Sequence, residues 1–229
     1  MDEHKCENCI IRQFNALRAM NKDELKQINK AKEDKSFKKG EVLFKEGETL
    51  HGLYCLKNGV AKLSKLSENG KDQIVKLAAK GSILGHRSVI AKENTNLSAV
   101  AVSDVQSCYI PKSKIEAVLR SNPDFTLEML RKLAHDIKES DDSLVQMSQK
   151  NVKQRMAQAL LHIQENFGAD EEGYFSVHFS REDLANIVGT ATESAIRMLS
   201  EFKKDTILKS KGRKLGIADL EALKKMAAD

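Results

Sequence analysis

Tryptophan is absent from this 229-residue chain, proline occurs only at Pro111 and Pro123, and aromatic residues make up 5% of it. So few prolines exclude a proline-rich linker between domains. No apolar run approaches the ~18 residues needed to cross a bilayer, which excludes a transmembrane helix. The opening residues Met-Asp-Glu-His-Lys-Cys contain no hydrophobic signal core, so the expected compartment is the cytosol and no membrane partner is expected. Cysteine is scarce, with four residues, and a reducing cytosol argues against reading them as a disulfide framework. Catalytic signatures are missing as well. The chain has no Gly-x-x-x-x-Gly-Lys, no His-Glu-x-x-His, no Gly-x-Ser-x-Gly and no obviously placed carboxylate pair, so it is not expected to be an enzyme.

What is present fits a globular protein of one large or two modest domains, with 41% hydrophobic and 31% charged residues. The net charge of +5 is modest, but its placement is uneven. Residues 190–215 hold seven Lys or Arg (Arg197, Lys203, Lys204, Lys209, Lys211, Arg213, Lys214) against Glu193, Glu201 and Asp205. Elsewhere, as between Lys22 and Lys39, acids are interspersed and a solvated face is explanation enough.

The segment just before and within that basic stretch carries the sharpest local signals. Ser180 with Asp183 three residues on is a capping-box variant. Leu184, Ile187 and Val188 give a short helix one apolar stripe, and Gly189 suits the left-handed residue that ends it. A second helix is expected from about Thr192, with Ala195, Met198, Leu199 and Phe202 facing inward. Thr190, Thr192, Glu193, Ser194 and Arg197 are left outside. A carboxylate can accept from cytosine N4 and an arginine can clamp guanine O6 and N7, so this reads as a DNA-reading helix-turn-helix. Lys211 and Arg213 fall in the wing that follows, where phosphate contacts set register. A helical hairpin in an unrelated bundle is the plainer alternative.

Upstream, from about Phe37 to Tyr109, short apolar stretches alternate with turns at Glu46-Gly47, Asn58-Gly59, Asn69-Gly70 and Gly81. Spacings of eight to twelve residues predict an antiparallel barrel, and about eight strands close naturally as a jelly roll. After Pro111 the period becomes helical. Leu130, Leu133, Ile137, Leu144 and Met147 form a seam, interrupted at Ser140-Asp141, that reads as a dimer contact. The bland alternative is a helix packed only on its own barrel. The expected division is 1–122 for the N-terminal segment and barrel, 123–148 for the dimerisation helix and 149–229 for the DNA-binding domain.

The order and the motifs resemble the family of the cyclic-AMP receptor protein and the fumarate–nitrate reductase regulator (CRP/FNR). The motifs are Lys39-Gly40-Glu41-Val42-Leu43-Phe44, Leu53-Tyr54-Cys55-Leu56-Lys57-Asn58-Gly59, Gly81-Ser82-Ile83-Leu84-Gly85, Gln154-Arg155-Met156-Ala157 and Ser180-Arg181-Glu182-Asp183-Leu184-Ala185 through Thr192 to Arg197. The resemblance implies an α+β fold, with a cyclic-nucleotide-binding-type β jelly roll, a long dimerisation helix and a C-terminal winged helix-turn-helix. It also implies a homodimer on a palindromic duplex site, RNA polymerase as a partner, base contacts from Glu193 and Arg197, and Arg181 at the DNA. The effector pocket would involve Gly85, His86, Arg87 and Ser98. However, His86 stands where cyclic-nucleotide sensors keep a Glu for the ribose, and Leu97-Ser98-Ala99 replaces Arg-Ser-Ala. Without that bidentate fork for the phosphate, cyclic AMP is not the expected signal.

The cysteines offer another signal. Cys6-Glu-Asn-Cys9 alone fits redox activity, zinc or no role. Oxygen-sensing relatives keep a barrel cysteine where Cys108 falls and an N-terminal pair spaced like Cys6 and Cys9. They also keep a third N-terminal cysteine, where this chain has Asn15 or its neighbours. Cys55 is the candidate substitute, on a strand expected beside that of Cys108. The four would then hold a [4Fe–4S] cluster or an all-thiolate zinc ion, against the alternative of plain core thiols. His51, His86, His135, His162 and His178 show no spacing that supports haem. A small-molecule or haem sensor of the same architecture, or a barrel that binds a ligand without DNA, remains the alternative.

Overall fold

The structure is a computed structural model that describes residues 5–67 and 70–228; Asn69, expected in a turn, lies outside them. The chain forms two compact units. One runs to Lys65 and again over Lys76–Glu139, and the other comprises Leu66–Val75 and the chain from Ser140 onward.

The first unit opens with three 3-10 turns, Cys6–Asn8, Ile10–Phe14 and Ala16–Ala19, followed by helix α1 (Lys22–Ala31). Asn21 caps α1 in a reciprocal box with Glu24, which satisfies the first orphan N–H groups. Ile11, Leu17, Met20, Leu25 and Ile28 are buried in the same core as the barrel. The barrel strands are β1 (Glu33–Phe37), β2 (Val42–Phe44), β3 (Gly52–Asn58), β4 (Ala61–Leu66), β5 (Asp72–Ala78) and β6 (Ile83–Leu84). A short helix α2 (His86–Ala91) precedes β7 (Ser98–Ala101) and β8 (Val105–Pro111). They form two four-stranded sheets, ordered β1-β8-β3-β6 and β2-β7-β4-β5. The jelly roll of about eight strands expected from the turn spacing is therefore present, with β1 lying before the segment in which strands were expected. Strand β1 was not legible because Glu33 to Ser36 are all exposed; it pairs as an edge strand along β8 from Glu33↔Tyr109 to Phe37↔Val105.

Helices α3 (Lys112–Ser121) and α4 (Pro123–Gln149) follow. Phe125 and Met129 anchor the start of α4 in the core, whereas Leu130, Ile137 and Leu144 are 56%, 63% and 71% exposed. Helix α4 runs unbroken through Ser140-Asp141, and one compact unit gives way to the other at that point. Of the expected seam, Leu133 alone is half-buried rather than exposed in the single chain, and Met147 is only just exposed.

The second unit contains α5 (Val152–Phe167), α6 (Arg181–Val188), α7 (Thr192–Lys204), the hairpin β9 (Leu208–Lys211) and β10 (Lys214–Ile217), and α8 (Leu220–Ala228). Met156, Leu160, Ile163, Leu184, Leu199, Phe202 and Leu223 fill its core. Ser180 and Asp183 form the expected capping box, and Gly189 ends α6 at φ +66°. Met198 is only half-buried, so the inward stripe of α7 is Ala195, Leu199 and Phe202. Arg155 Nε donates 2.9 Å to the Val188 carbonyl, satisfying a helix-end acceptor beside the turn.

Gly189→Ala forces a Cβ into the left-handed region and should cost about 1–2 kcal/mol. Ser180→Ala removes the cap and should cost about 1 kcal/mol. Urea unfolding of each variant measures both; an unchanged midpoint for Gly189→Ala would show that the turn relaxes freely.

Candidate functional site

Cys55 on β3 and Cys108 on β8 face each other in register, and both are buried. The 3-10 turns before α1 bring Cys6 and Cys9 to the same place. All four cysteines line one pocket, walled by Ile11, Leu17, Met20, Leu25, Ile28 and Ile110. Arg12, Lys32 and Lys57 also line it. Lys57 Nζ donates 2.9 Å to Asp34, and the Cys108 thiol donates 3.5 Å to the same carboxylate oxygen. The Cys6 amide donates 3.1 Å to Asn29 on α1, which fixes the first turn against that helix.

Three of the thiols, Cys6, Cys55 and Cys108, are held protonated. Burial pushes Cys55 up to about 12, and negative charge on Cys108, Cys9 and Cys6 would push the same way, while the Asn15 amide pulls against them. Burial likewise raises Cys108 to about 11, opposed by Lys32 and Lys57 and reinforced by Asp34. Cys6 is raised by burial, with Lys32 opposing. Any metal centre must displace those protons, because thiolates are the ligands.

The donor set tests which group fits. Among the described residues no three Cys, His, Asp or Glu side chains are grouped to hold one metal ion. A single zinc requires four sulfurs about 2.3 Å from one point, so the zinc alternative finds no support in the geometry. A cubane cluster gives each thiolate its own iron, so its four sulfurs need not converge on one point. Arg12 Nε is buried in the wall without a partner, and a donor left so is costly unless an occupant accepts from it. Four thiols ringed by three cations fit an anionic cluster.

The residues expected at an effector pocket are not assembled as a ligand cradle. His86 Nε2 lies 2.8 Å from Asp136 on α4, and its Nδ1 lies 3.0 Å from the Ile83 carbonyl. Asp136 also accepts from Lys76 and Lys132, both at 2.5 Å, and these partners hold its carboxyl far below the usual range against the opposing effect of burial. Arg87 turns instead to Glu93 at 2.7 Å and Asn96 at 3.1 Å. Ser98 Oγ accepts from the Glu46 amide, and Gly85 is the left-handed residue before α2.

On the second unit, Glu193 and Arg197 are exposed four residues apart on α7, with Thr190, Thr192 and Ser194 half-buried beside them. Arg197 Nη2 donates 3.3 Å to Ser194 Oγ. Arg181 opens α6 with its Nη1 buried and unpartnered. In the hairpin, Lys211 pairs with Glu172 at 3.0 Å and Lys214 with Asp170 at 2.7 Å, whereas Arg213 forms no ion pair among the described residues. Sequence reasoning found Lys211 but not its acidic neighbour Glu172, which lies thirty-nine residues away in the chain.

Residues 34–122 match the family model of the cyclic nucleotide-binding domain, and residues 154–226 match that of the Crp-like helix-turn-helix domain. The fumarate and nitrate reduction regulatory protein of Yersinia pestis is 28% identical over 229 residues, covering 98% of this chain and 90% of that protein. A putative transcriptional regulator of the crp/fnr family from Eubacterium rectale has the same fold, with a TM-score of 0.78 at 18% identity over 93% of this chain and 97% of that one. FixK2 from Bradyrhizobium japonicum superposes with a TM-score of 0.76 at 21% identity, over 87% and 98% of the two chains. The chain belongs to the CRP/FNR family of transcriptional regulators. As a member of the CRP/FNR family it is a DNA-binding regulator and not an enzyme. Among its described residues no helix is long and apolar enough to cross a membrane.

Protonated thiols alkylate slowly. At pH 8 the thiolate fraction of Cys108 is lower than that of a free thiol by roughly two orders of magnitude, and that of Cys55 by roughly three. Iodoacetamide labelling of the apoprotein, followed by peptide mass spectrometry, should show that lag against the urea-unfolded chain. The gap should narrow as pH rises toward about 11, where Cys108 ionises. Because burial raises these thiols, their contribution to stability is fully present below the ordinary thiol range and is lost as pH climbs toward about 11. Equal native and unfolded rates at pH 8 would refute the buried, protonated state.

Proposed function

We propose that this chain is a cytoplasmic, homodimeric transcriptional regulator that reads a palindromic duplex site through α7 and senses oxygen or redox state through a [4Fe–4S] cluster on Cys6, Cys9, Cys55 and Cys108. The observation that carries the sensing part is the convergence of all four cysteines on one apolar pocket lined by Arg12, Lys32 and Lys57. When bound, such a cluster supplies oxygen lability and redox change. The protein's own part is to exclude water with Ile11, Leu17 and Ile28, to surrender the thiol protons, and to balance the added negative charge with its three cations. Cyclic nucleotide is not the signal on this reading, since His86 and Arg87 are already engaged by Asp136 and Glu93.

At the DNA, Glu193 and Arg197 read bases, Thr190, Thr192 and Ser194 flank them, and Arg181 at the start of α6 lies on the same face. Arg213, without an ion pair among the described residues, makes the main backbone contact of the wing, and Lys211 must first leave Glu172. Two such helices on a two-fold dimer read two half-sites one turn apart. Leu130, Leu133, Ile137, Leu144 and Met147 on α4 form the contact between copies, because a row of large exposed apolar side chains is costly to leave in water. RNA polymerase is the further partner.

Iron and acid-labile sulfide are to be measured after anaerobic isolation; their absence would sink the cluster. Arg197→Ala should cost about 1–3 kcal/mol on a cognate site and relax preference at one base pair. Arg213→Ala should weaken binding evenly and lower the salt slope. Ile137→Glu places two like charges at the two-fold axis and should give monomers in analytical ultracentrifugation; a persisting dimer would move the interface elsewhere.

A further inference from the structure

Asn15 sits between two 3-10 turns in an extended conformation, φ −150° and ψ −178°, and its side chain is used four times. The two N–H groups of its Nδ2 are shared among the Gly81 carbonyl at 3.0 Å, the Ile11 carbonyl at 3.3 Å and the Cys55 sulfur at 3.4 Å. Its Oδ1 accepts from the Leu17 amide at 3.0 Å. The loop carrying Gly81 is itself bonded to the strand of Cys55. The Gly81 amide donates 2.9 Å to the Leu56 carbonyl, and the Leu56 amide donates 2.9 Å to Ser82. Gly81, at φ +90°, leaves no room for a side chain: a Cβ there would stand 2.7 Å from that of Phe14. One amide therefore joins the segment that carries Cys6 and Cys9 to the barrel at the sulfur of Cys55.

We propose that positions 15 and 55 share one corner of the thiol pocket: Asn15 is the positioning residue that makes Cys55 the fourth ligand, and a cysteine at 15 takes over that role when Cys55 is removed. The inference rests on the cluster reading above. A cysteine sulfur is one bond from Cβ, where the asparagine has its Cγ, about 1.3 Å from Nδ2. Such a sulfur therefore falls within about 4.7 Å of the place of Cys55 Sγ, from the 3.4 Å contact and that bond length. It also stays on the same turn as Cys9 and opens on the same dry wall. The amide N–H on the Cys55 sulfur adds a second effect. It favours the more negative, reduced state of whatever the sulfur ligates, so its removal lowers the reduction potential.

Full-length protein is isolated anaerobically as wild type, Asn15→Ala, Cys55→Ser, and Asn15→Cys with Cys55→Ser, and iron, sulfide, absorption spectrum and reduction potential are measured. Circular dichroism checks the fold of each. Cys55→Ser should lose the cluster and the double variant should regain it. Asn15→Ala should retain it about tenfold less well, with a lowered potential. A folded double variant that stays empty beside a loaded wild type overturns the proposal, as does an unchanged potential in Asn15→Ala. Wild type without iron and sulfide refutes the cluster reading itself. The shared corner is then decided in the apoprotein by Asn15→Cys alone. Diamide takes up two protons and two electrons as the two thiols join, so a 15–55 disulfide on peptide mapping supports the juxtaposition and its absence overturns it.

Discussion

Docking of the segment before Glu33 onto the β3–β8 face is the contact on which the sensor end depends. Without it, Cys55 and Cys108 are two opposed core thiols and Cys6-Glu-Asn-Cys9 is a pair on a loose end. The docking is mainly apolar: Ile11, Leu17, Met20, Leu25 and Ile28 share the barrel core. Full burial of a side chain of that size is worth about 1.5–3 kcal/mol, against which the ordering of some twenty residues must be set. Asn15 supplies the register that apolar contact cannot. The same burial keeps the pocket dry, and dryness keeps the thiols neutral.

A change in that pocket has a short physical route to the long helix inside the first unit. Asn122 caps the start of α4 by accepting from the Phe125 amide at 2.9 Å. Its Nδ2 donates to the Ala19 carbonyl at 3.1 Å and to Glu24 at 2.8 Å, both in the docked segment. Arg18 reaches Glu128 on α4 at 2.8 Å, an exposed pair whose own contribution is small. The cap residue of α4 thus also holds the segment that carries two of the four cysteines. Coupling of this kind requires that loading the pocket stabilise one arrangement of the segment over another, since contact alone shifts no equilibrium.

The DNA-binding half was legible because its signals are local. The Ser180–Asp183 box, the left-handed Gly189 and the stripe of Leu184 and Val188 each act over a few residues, and the structure repeats them. Most barrel strands were legible from turn spacing, except β1, whose charged edge carries no alternation, and β6, which is two residues long. Helix α8 gave no capping signal and was not anticipated. Cys55 entered the site only because the fold sets its strand beside that of Cys108; spacing in sequence says nothing of a partner fifty-three residues away. The roles of Asn15 and Asp136 were invisible for the same reason. Each is one polar residue whose partners come from distant elements, and a sequence shows polar residues without showing what they face.

The barrel's remaining polar residues explain why the signal, on this reading, enters through the N-terminal segment. In a cyclic-nucleotide sensor the place of His86 serves the ligand. Here His86 and Lys76 converge on Asp136 of α4, joined by Lys132 from the same helix. Asp136 is half-buried, and a buried charge is tolerated only when such partners surround it. Removing any of them to admit an anion would leave the carboxylate uncompensated and set it against the incoming charge. The barrel therefore grips helix α4 through His86 and Lys76, and on this reading the pocket left able to take an anionic group is the one lined by four thiols.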